Sequence, residues 1–148
     1  MIKVREGKKE DLPKALELIR ELAIYEKAEH EVENTVERME VDGFGENPVY
    51  GFILAEMDGE VIGMSMYYYR YSTWKGKRLY LEDLIVTESA RGSGAGKLLL
   101  DETVAIAKRT QCTGVMWQVL DWNEPAIKFY EKYGAELDSG WINCNLHF

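Results

Sequence analysis

Cysteine and histidine are scarce in this 148-residue chain, with two of each. Cys112 and Cys144 share no CxxC spacing, and His30 and His147 lie far apart in sequence. That supply excludes a disulfide framework, leaves too few ligands for a cysteine or histidine metal centre, and gives no basis for a histidine-centred triad. No metal is expected. Long apolar runs are also missing. The longest nearly continuous one, Val49 to Ala55, falls far short of the ~20 residues that cross a bilayer. The opening Met1-Ile2-Lys3-Val4-Arg5-Glu6 is not expected to start a secretory signal. A cytoplasmic protein without a membrane partner is expected. Basic residues are outnumbered, 18 against 26 acids, for a net charge of −8. Nucleic-acid binding rests on a cationic footprint, so no nucleic-acid partner is expected either.

What remains is globular. Hydrophobic residues make up 46% and charged residues 30%, with only three prolines, which suits one domain spanning 1–148. The acids are unevenly placed: between Glu26 and Glu46 eight of them stand against Lys27 and Arg38, a local net charge of −6. Such a stretch either attracts a cationic small molecule or is a solvated surface.

Strand and helix patterns alternate along the chain, as in a layered α/β domain. Ile2 to Arg5 reads as a first strand. Asp11 stands as N-cap, with Pro13 in the first turn, of a helix whose apolar face is Leu12, Ala15, Leu16, Ile19, Leu22 and Ala23. A shorter helix is expected from Thr35 to about Asp42. Tyr50–Met57 and Val61–Tyr71 flank Asp58-Gly59, the dipeptide of a tight hairpin. Leu79–Val86 reads as a buried strand, Gly94–Arg109 as a helix and Val115–Leu120 as another strand. Asn123 caps a helix that Gly134 closes. Ile142, Cys144, Leu146 and Phe148 alternate with polar residues, the period of a half-buried last strand.

Between the buried strand and the long helix lies Arg91-Gly92-Ser93-Gly94-Ala95-Gly96-Lys97. Backbone N–H groups and the positive end of a helix converge there, and glycines let a pyrophosphate approach the main chain. A Walker loop would need Gly at Arg91 and Ser or Thr at Leu98, and a dinucleotide fingerprint would need Gly at Lys97. Neither spacing is met. The alternative is a glycine-rich turn with no ligand.

Arg91-x-x-Gly94-x-Gly96 after a strand, followed by Asn123-Glu124-Pro125-Ala126-Ile127-Lys128-Phe129-Tyr130-Glu131-Lys132-Tyr133-Gly134-Ala135, resembles the GCN5-related N-acetyltransferase (GNAT) family. Tyr25-Glu26, Asp42-Gly43-Phe44-Gly45-Glu46, Tyr80-Leu81-Glu82-Asp83 and Trp122-Asn123-Glu124-Pro125 resemble its diamine acetyltransferase group. The resemblance covers nearly the whole chain. It implies a mixed, mostly antiparallel central sheet flanked by helices, acetyl-CoA as co-substrate, a small-molecule amine as acceptor, and a homodimer. In that family Leu84, Ile85 and Val86 would bind the pantetheine arm through the main chain. Arg91, Gly92, Ser93, Gly94, Ala95, Gly96 and Lys97 would hold the pyrophosphate, and Asn123, Ala126 and Tyr130 would line the other side of the coenzyme.

A lysine-like amine has a pKa of about 10.4 and arrives protonated, so a base must deprotonate it before it attacks the thioester. Glu82 and Asp83 interrupt an apolar strand, where an ionised carboxylate is costly without a partner. Adjacent strand residues point to opposite faces, so both reach one cleft only if the strand bulges. The resemblance makes Glu82 the water-mediated base and Asp83 a support for the substrate ammonium; the alternative is an ion-paired structural couple with Lys77 or Arg78. Tyr130, matched to the family's acid, would protonate the departing thiolate, and its apolar helical stripe equally suits a core tyrosine. For the acceptor pocket the family points to Tyr25, Glu26, Ser72, Trp74 and Glu82. Trp74 either meets a cation through its ring or is packed. Tyr71-Ser72-Thr73-Trp74 matches the thialysine branch, whereas the spermidine/spermine enzymes carry an acid and a proline at positions 72 and 73. A thialysine-like acceptor is therefore expected. The alternatives are a spermidine/spermine or diamine acetyltransferase, and a catalytically silent coenzyme A-binding interaction module.

Overall fold

Ile2–Glu6 forms β1, and its Arg5 anchors the entry to the first helix. The guanidinium donates to both carboxylate oxygens of Asp11, at 2.8 and 2.9 Å, and also pairs with Glu56 across the sheet. The Asp11 carboxyl is held below the usual aspartate range, chiefly by the Arg5 hydrogen bonds. Asp11 stands at the N-cap position of α1 (Leu12–Tyr25), but its side chain accepts from the Lys8 N–H at 2.8 Å instead of capping the helix. The cation on β1 and the turn before the helix claim the carboxylate first. A second helix, α2 (Val36–Phe44), is capped as its sequence requires, Thr35 Oγ1 accepting from the Arg38 N–H at 3.1 Å.

The computed structural model describes residues 1–148. Those residues divide into two compact units, Met1–Gln118 and Val119–Phe148. In the first unit β2 (Gly51–Met57), β3 (Glu60–Ser72), β4 (Gly76–Val86) and β5 (Val115–Met116) join β1 in a sheet of order β1-β2-β3-β4-β5. The first three pairings are antiparallel and the last is parallel. Asp58 and Gly59 turn the β2–β3 hairpin with φ of 52° and 81°, the positive angles this tight turn needs.

Alternation splits the sheet into two faces. Phe52, Leu54, Met64, Met66 and Ile85 pack on Leu12, Leu16 and Leu18 of α1 and on Met39 of α2. The long helix α3 (Ala95–Arg109) packs on β2, β3 and β4, on the face that carries Ser65. There Thr103 donates to the Leu99 carbonyl at 2.8 Å, so the Ser65 hydroxyl donates to Thr103 at 2.6 Å. Both hydroxyls are fully buried and satisfied. Gly63 permits the close approach of α3, since a Cβ there would meet the Ile85 carbonyl at 2.7 Å and Leu99 Cδ1 at 3.1 Å.

The second unit holds α4 (Glu124–Tyr133), with Asn123 accepting from the Ala126 N–H at 3.4 Å and Gly134 closing the helix at φ 103°. Two expected strands differ. Val115–Leu120 pairs only at Val115 and Met116, because the sheet ladder extends no further along β4. Residues 135–148 form no strand, and Trp141, Ile142, Leu146 and Phe148 are exposed. Their alternation supplies a face for a sheet, but a strand also needs a neighbour for its backbone, and the single chain provides none there.

Candidate active site

The site grows from an irregularity in β4. Met66 opposes Asp83 while Tyr67 opposes Leu81, so Glu82 is an extra residue and β4 bulges there. The bulge brings both acids to the sheet face that carries Met66 and Tyr68, where strict alternation would have separated them. Electrostatics follows the geometry. Burial pushes the Asp83 carboxyl up to about 7, and the charges of Glu82 and then Glu26 add to the effect. Asp83 keeps part of its surface open to solvent while protein surrounds most of its carboxyl. Burial also raises Glu26. The Tyr68 and Tyr80 hydroxyls are raised by burial and then by Glu82.

Glu26, Glu82 and Asp83 have no ion-pair partner. Neither of the two cations just before the strand pair in sequence pairs with it. Lys77 donates to the Thr110 carbonyl at 3.0 Å and lies 4.5 Å from the Tyr69 ring centroid; Arg78 packs over Gly114. The ion-paired alternative is not formed. Three crowded, uncompensated carboxylates make a site for a cation. Glu26 also follows the last residue of α1, so the negative end of that helix dipole adds to the field.

The end of α1 is tied to the end of β4. Glu21 accepts from the Thr87 hydroxyl at 2.7 Å and from the Glu88 N–H at 2.9 Å. Arg91 donates to the Val86 carbonyl at 3.4 Å and lies 5.0 Å from the centroid of the Tyr25 ring. Tyr25, Glu26, Glu82, Asp83 and Arg91 therefore belong to one neighbourhood. Beyond them the loop turns on Gly92 at φ 83° and Gly94 at φ 92°, and a Cβ on either would meet nothing within 4 Å. Ser93 Oγ accepts from the Ala95 N–H at 3.4 Å, while the Gly96 and Lys97 amides lie in the first turn of α3, where no helical carbonyl reaches them. Open space over unpaired amides at a helix start fits a pyrophosphate. Lys97 pairs with Asp101 at 2.8 Å. Leu84, Ile85 and Val86 pair with β3 only, since β5 stops at the level of Tyr80. Their outer edge is open to an extended chain.

Ser72 and Trp74 are not brought to the carboxylates. Ser72 ends β3, where its hydroxyl accepts from the Trp74 and Lys75 N–H groups at 3.2 and 3.0 Å and so closes the β3–β4 turn. Four residue steps along β3 separate it from Tyr68, about 13 Å along the strand. Trp74 is 84% exposed. In the second unit, Asn123 caps α4, Ala126 lies in its first turn, and Tyr130 packs edge-on to Phe129 with ring centroids 5.5 Å apart. One feature went unread in the sequence: Arg70 and Arg78 face each other across the β3–β4 hairpin. The signal was present, since the two stand at equal distances from Trp74.

The acetyltransferase (GNAT) family matches residues 13–135. The chain is 40% identical to a thialysine N-epsilon-acetyltransferase of Bos taurus over 143 residues, covering 91% of this chain and 84% of that protein. It is 36% identical to the spermidine/spermine N(1)-acetyltransferase-like protein 1 of Homo sapiens over 148 residues, 93% of this chain and 21% of that one. Among solved structures, an integron cassette protein from V. cholerae superposes with a TM-score of 0.79 at 23% identity, covering 99% of this chain and 93% of the other.

Proposed function

Because the chain belongs to the GNAT acetyltransferase family and is therefore an acetyl-CoA-dependent N-acetyltransferase acting on amines, we propose that its acceptor is a thialysine-like amino acid and that Glu82 and Tyr130 carry the proton transfers. The observation behind this reading is the bulge that gathers Glu82 and Asp83 with Glu26, unpaired, beside the open edge of β4. Acetyl-CoA supplies the acyl group when bound. Leu84–Val86 would bind its arm through the main chain, and Gly92–Lys97 its pyrophosphate. Asn123 and Ala126 would flank it, as the family resemblance implies.

The acceptor arrives as an ammonium ion, which the three carboxylates attract. The same attraction raises its pKa above about 10.4, so it is deprotonated only as it reacts. Glu82, the most exposed of the strand pair, takes the proton through water. Asp83, half-protonated near neutrality, supports the ammonium. The amine nitrogen then bonds to the acetyl carbon, the carbon–sulfur bond breaks, and Tyr130 protonates the leaving thiolate. A tyrosine near pKa 10 can serve a thiol near 8.5 in this way. Tyr25 would border the acceptor end, and Arg91 beside it would join the loop that holds the pyrophosphate. A homodimer is the proposed assembly, supported by the exposed alternation of Ile142, Leu146 and Phe148, which a neighbouring edge would satisfy.

The test is thiol release from acetyl-CoA with thialysine, lysine, putrescine and spermidine, with the products identified by mass. The expected order places thialysine first in kcat/KM. Spermidine ahead by about tenfold, or 1.4 kcal/mol, would make the protein a polyamine enzyme. Binding of acetyl-CoA without thiol release for any amine would make it a silent module.

A further inference from the structure

The β3–β4 hairpin sets two guanidinium groups opposite each other. Arg70 pairs with Arg78 in the ladder, an arrangement that repulsion disfavours. Neither forms an ion pair, although the chain carries 26 acids. Arg70 reaches only Met116 Sδ, at 3.4 Å, with its guanidinium carbon 5.5 Å from the Tyr80 ring centroid. Arg78 Nε is shielded from solvent and has no hydrogen-bond partner. Gly114 makes room for that guanidinium, since a Cβ there would stand 2.7 Å from one terminal nitrogen and 2.9 Å from Nε. Two opposed guanidiniums with no counter-ion are costly in a folded protein, and an anionic ligand between their terminal nitrogens would lower that cost.

These arginines share a sheet face with the acidic cluster. Counting through the bulge, Met66, Tyr68 and Arg70 of β3 lie on the side of Asp83, Tyr80 and Arg78 of β4. Between the two charged ends lies the Tyr68–Tyr80 pair, ring centroids 5.2 Å apart. Tyr80 senses both ends: Glu82 raises its hydroxyl and Arg70 opposes that. The face thus runs from carboxylates, over an aromatic floor, to guanidiniums.

We propose that Arg70 and Arg78 receive the carboxylate of the acceptor, so that the enzyme selects the side-chain amine of an amino acid over the amine of a diamine; this deepens the acetyl-transfer reading above and rests on it. The spacing suits such a ligand. Four residue steps separate Arg70 from Met66, about 13 Å, and the side chain leans back over Tyr80, which leaves about 7–10 Å to the carboxylate cluster. In an extended lysine-like acceptor six bonds of ~1.5 Å put the reacting nitrogen about 7–8 Å from the carboxylate carbon. A diamine offers no anion there and sets its second ammonium against two cations, so attraction and repulsion discriminate in the same direction. The α-ammonium of the amino acid turns to solvent.

The test compares acceptors that differ only in that carboxylate: lysine with cadaverine, and thialysine with its decarboxylated analogue. Wild type should favour each acid by at least about tenfold in kcat/KM. Arg70→Gln, at an exposed side chain whose loss leaves the core intact, should cut that ratio at least fivefold through KM for the acid, with kcat nearly unchanged. Arg78→Gln should act alike, its folding checked by thermal melting. A ratio below about threefold in wild type, or one unchanged in both variants, overturns the proposal. A second arm needs no turnover: titration of Nε-acetyllysine and N-acetylcadaverine in the presence of coenzyme A. Tighter binding of the carboxylate-bearing product, lost in Arg70→Gln, supports the site even if no amine is acetylated, which would count against the acetyl-transfer reading alone. Equal binding of the two products overturns it.

Discussion

Replacing Asp83 by asparagine tests the electrostatics of the bulge through stability. In the folded protein the Asp83 carboxyl titrates at about 7, raised by burial and then by Glu82 and Glu26, against about 3.9 in an unfolded chain. Below pH 4 both states hold the proton and the group has no effect. Between pH 4 and 7 the native state binds a proton that the unfolded state has lost, so stability falls as pH rises, by up to about 1.4 kcal/mol per pH unit from this group. The gap integrates to an upper bound of about 4 kcal/mol. Asparagine fills the same space and does not titrate. Urea melts of wild type and Asp83→Asn at intervals from pH 4.5 to 8.5 should show the smallest difference at the acid end and the variant more stable by up to about 4 kcal/mol at the alkaline end. A difference that is flat with pH, or a variant less stable at pH 8.5, would refute the uncompensated carboxylate cluster. The same reasoning predicts that a cationic acceptor expels up to about three-quarters of a proton near pH 6.5, readable by calorimetry in buffers of different ionisation enthalpy.

Other perturbations separate the remaining parts. Gly94→Asp adds a charge and a side chain at φ 92°, so it should abolish the thermal stabilisation by acetyl-CoA, which at a hundredfold excess over Kd amounts to about 2.7 kcal/mol; an unaltered shift would remove the pyrophosphate site. Tyr130→Phe should lower kcat by roughly 10²–10⁴ with acetyl-CoA affinity nearly intact; a rate within a few-fold of wild type would leave Tyr130 a packing residue. Ser72→Ala removes the acceptor for two turn amides and should cost about 1 kcal/mol of stability, leaving the thialysine-to-spermidine ratio unchanged; a shift in that ratio would place Ser72 in the pocket.

Much of this was legible in the sequence because local rules act at short range. Asp58-Gly59 set its hairpin, Asn123 set its cap, and Gly94 and Gly134 took the positive φ angles their positions demanded. The bulge was foreseeable as a condition: two adjacent acids in an apolar strand serve one cleft only if alternation fails. What escaped depends on long-range pairing. Asp11 looked like a cap until Arg5 reached it. The alternation of Ile142 to Phe148 specified a face but could not supply the neighbouring strand. The lack of an acid at Ser72 was legible, but the service of its hydroxyl to the turn was not. The Arg70–Arg78 opposition emerged only with the register of the hairpin, where two cations eight residues apart become direct neighbours.

The central claim is that Glu82 removes the proton of the acceptor, and its most direct test is the pH–rate profile of Glu82→Gln. The variant keeps the shape of the side chain and loses its basicity. With thialysine as acceptor, kcat/KM should fall most near neutral pH, by roughly 10²–10⁴, and recover in part above pH 9, where the amine loses its proton unaided. A deficit of the same size at every pH would contradict the account and make Glu82 a positioning residue.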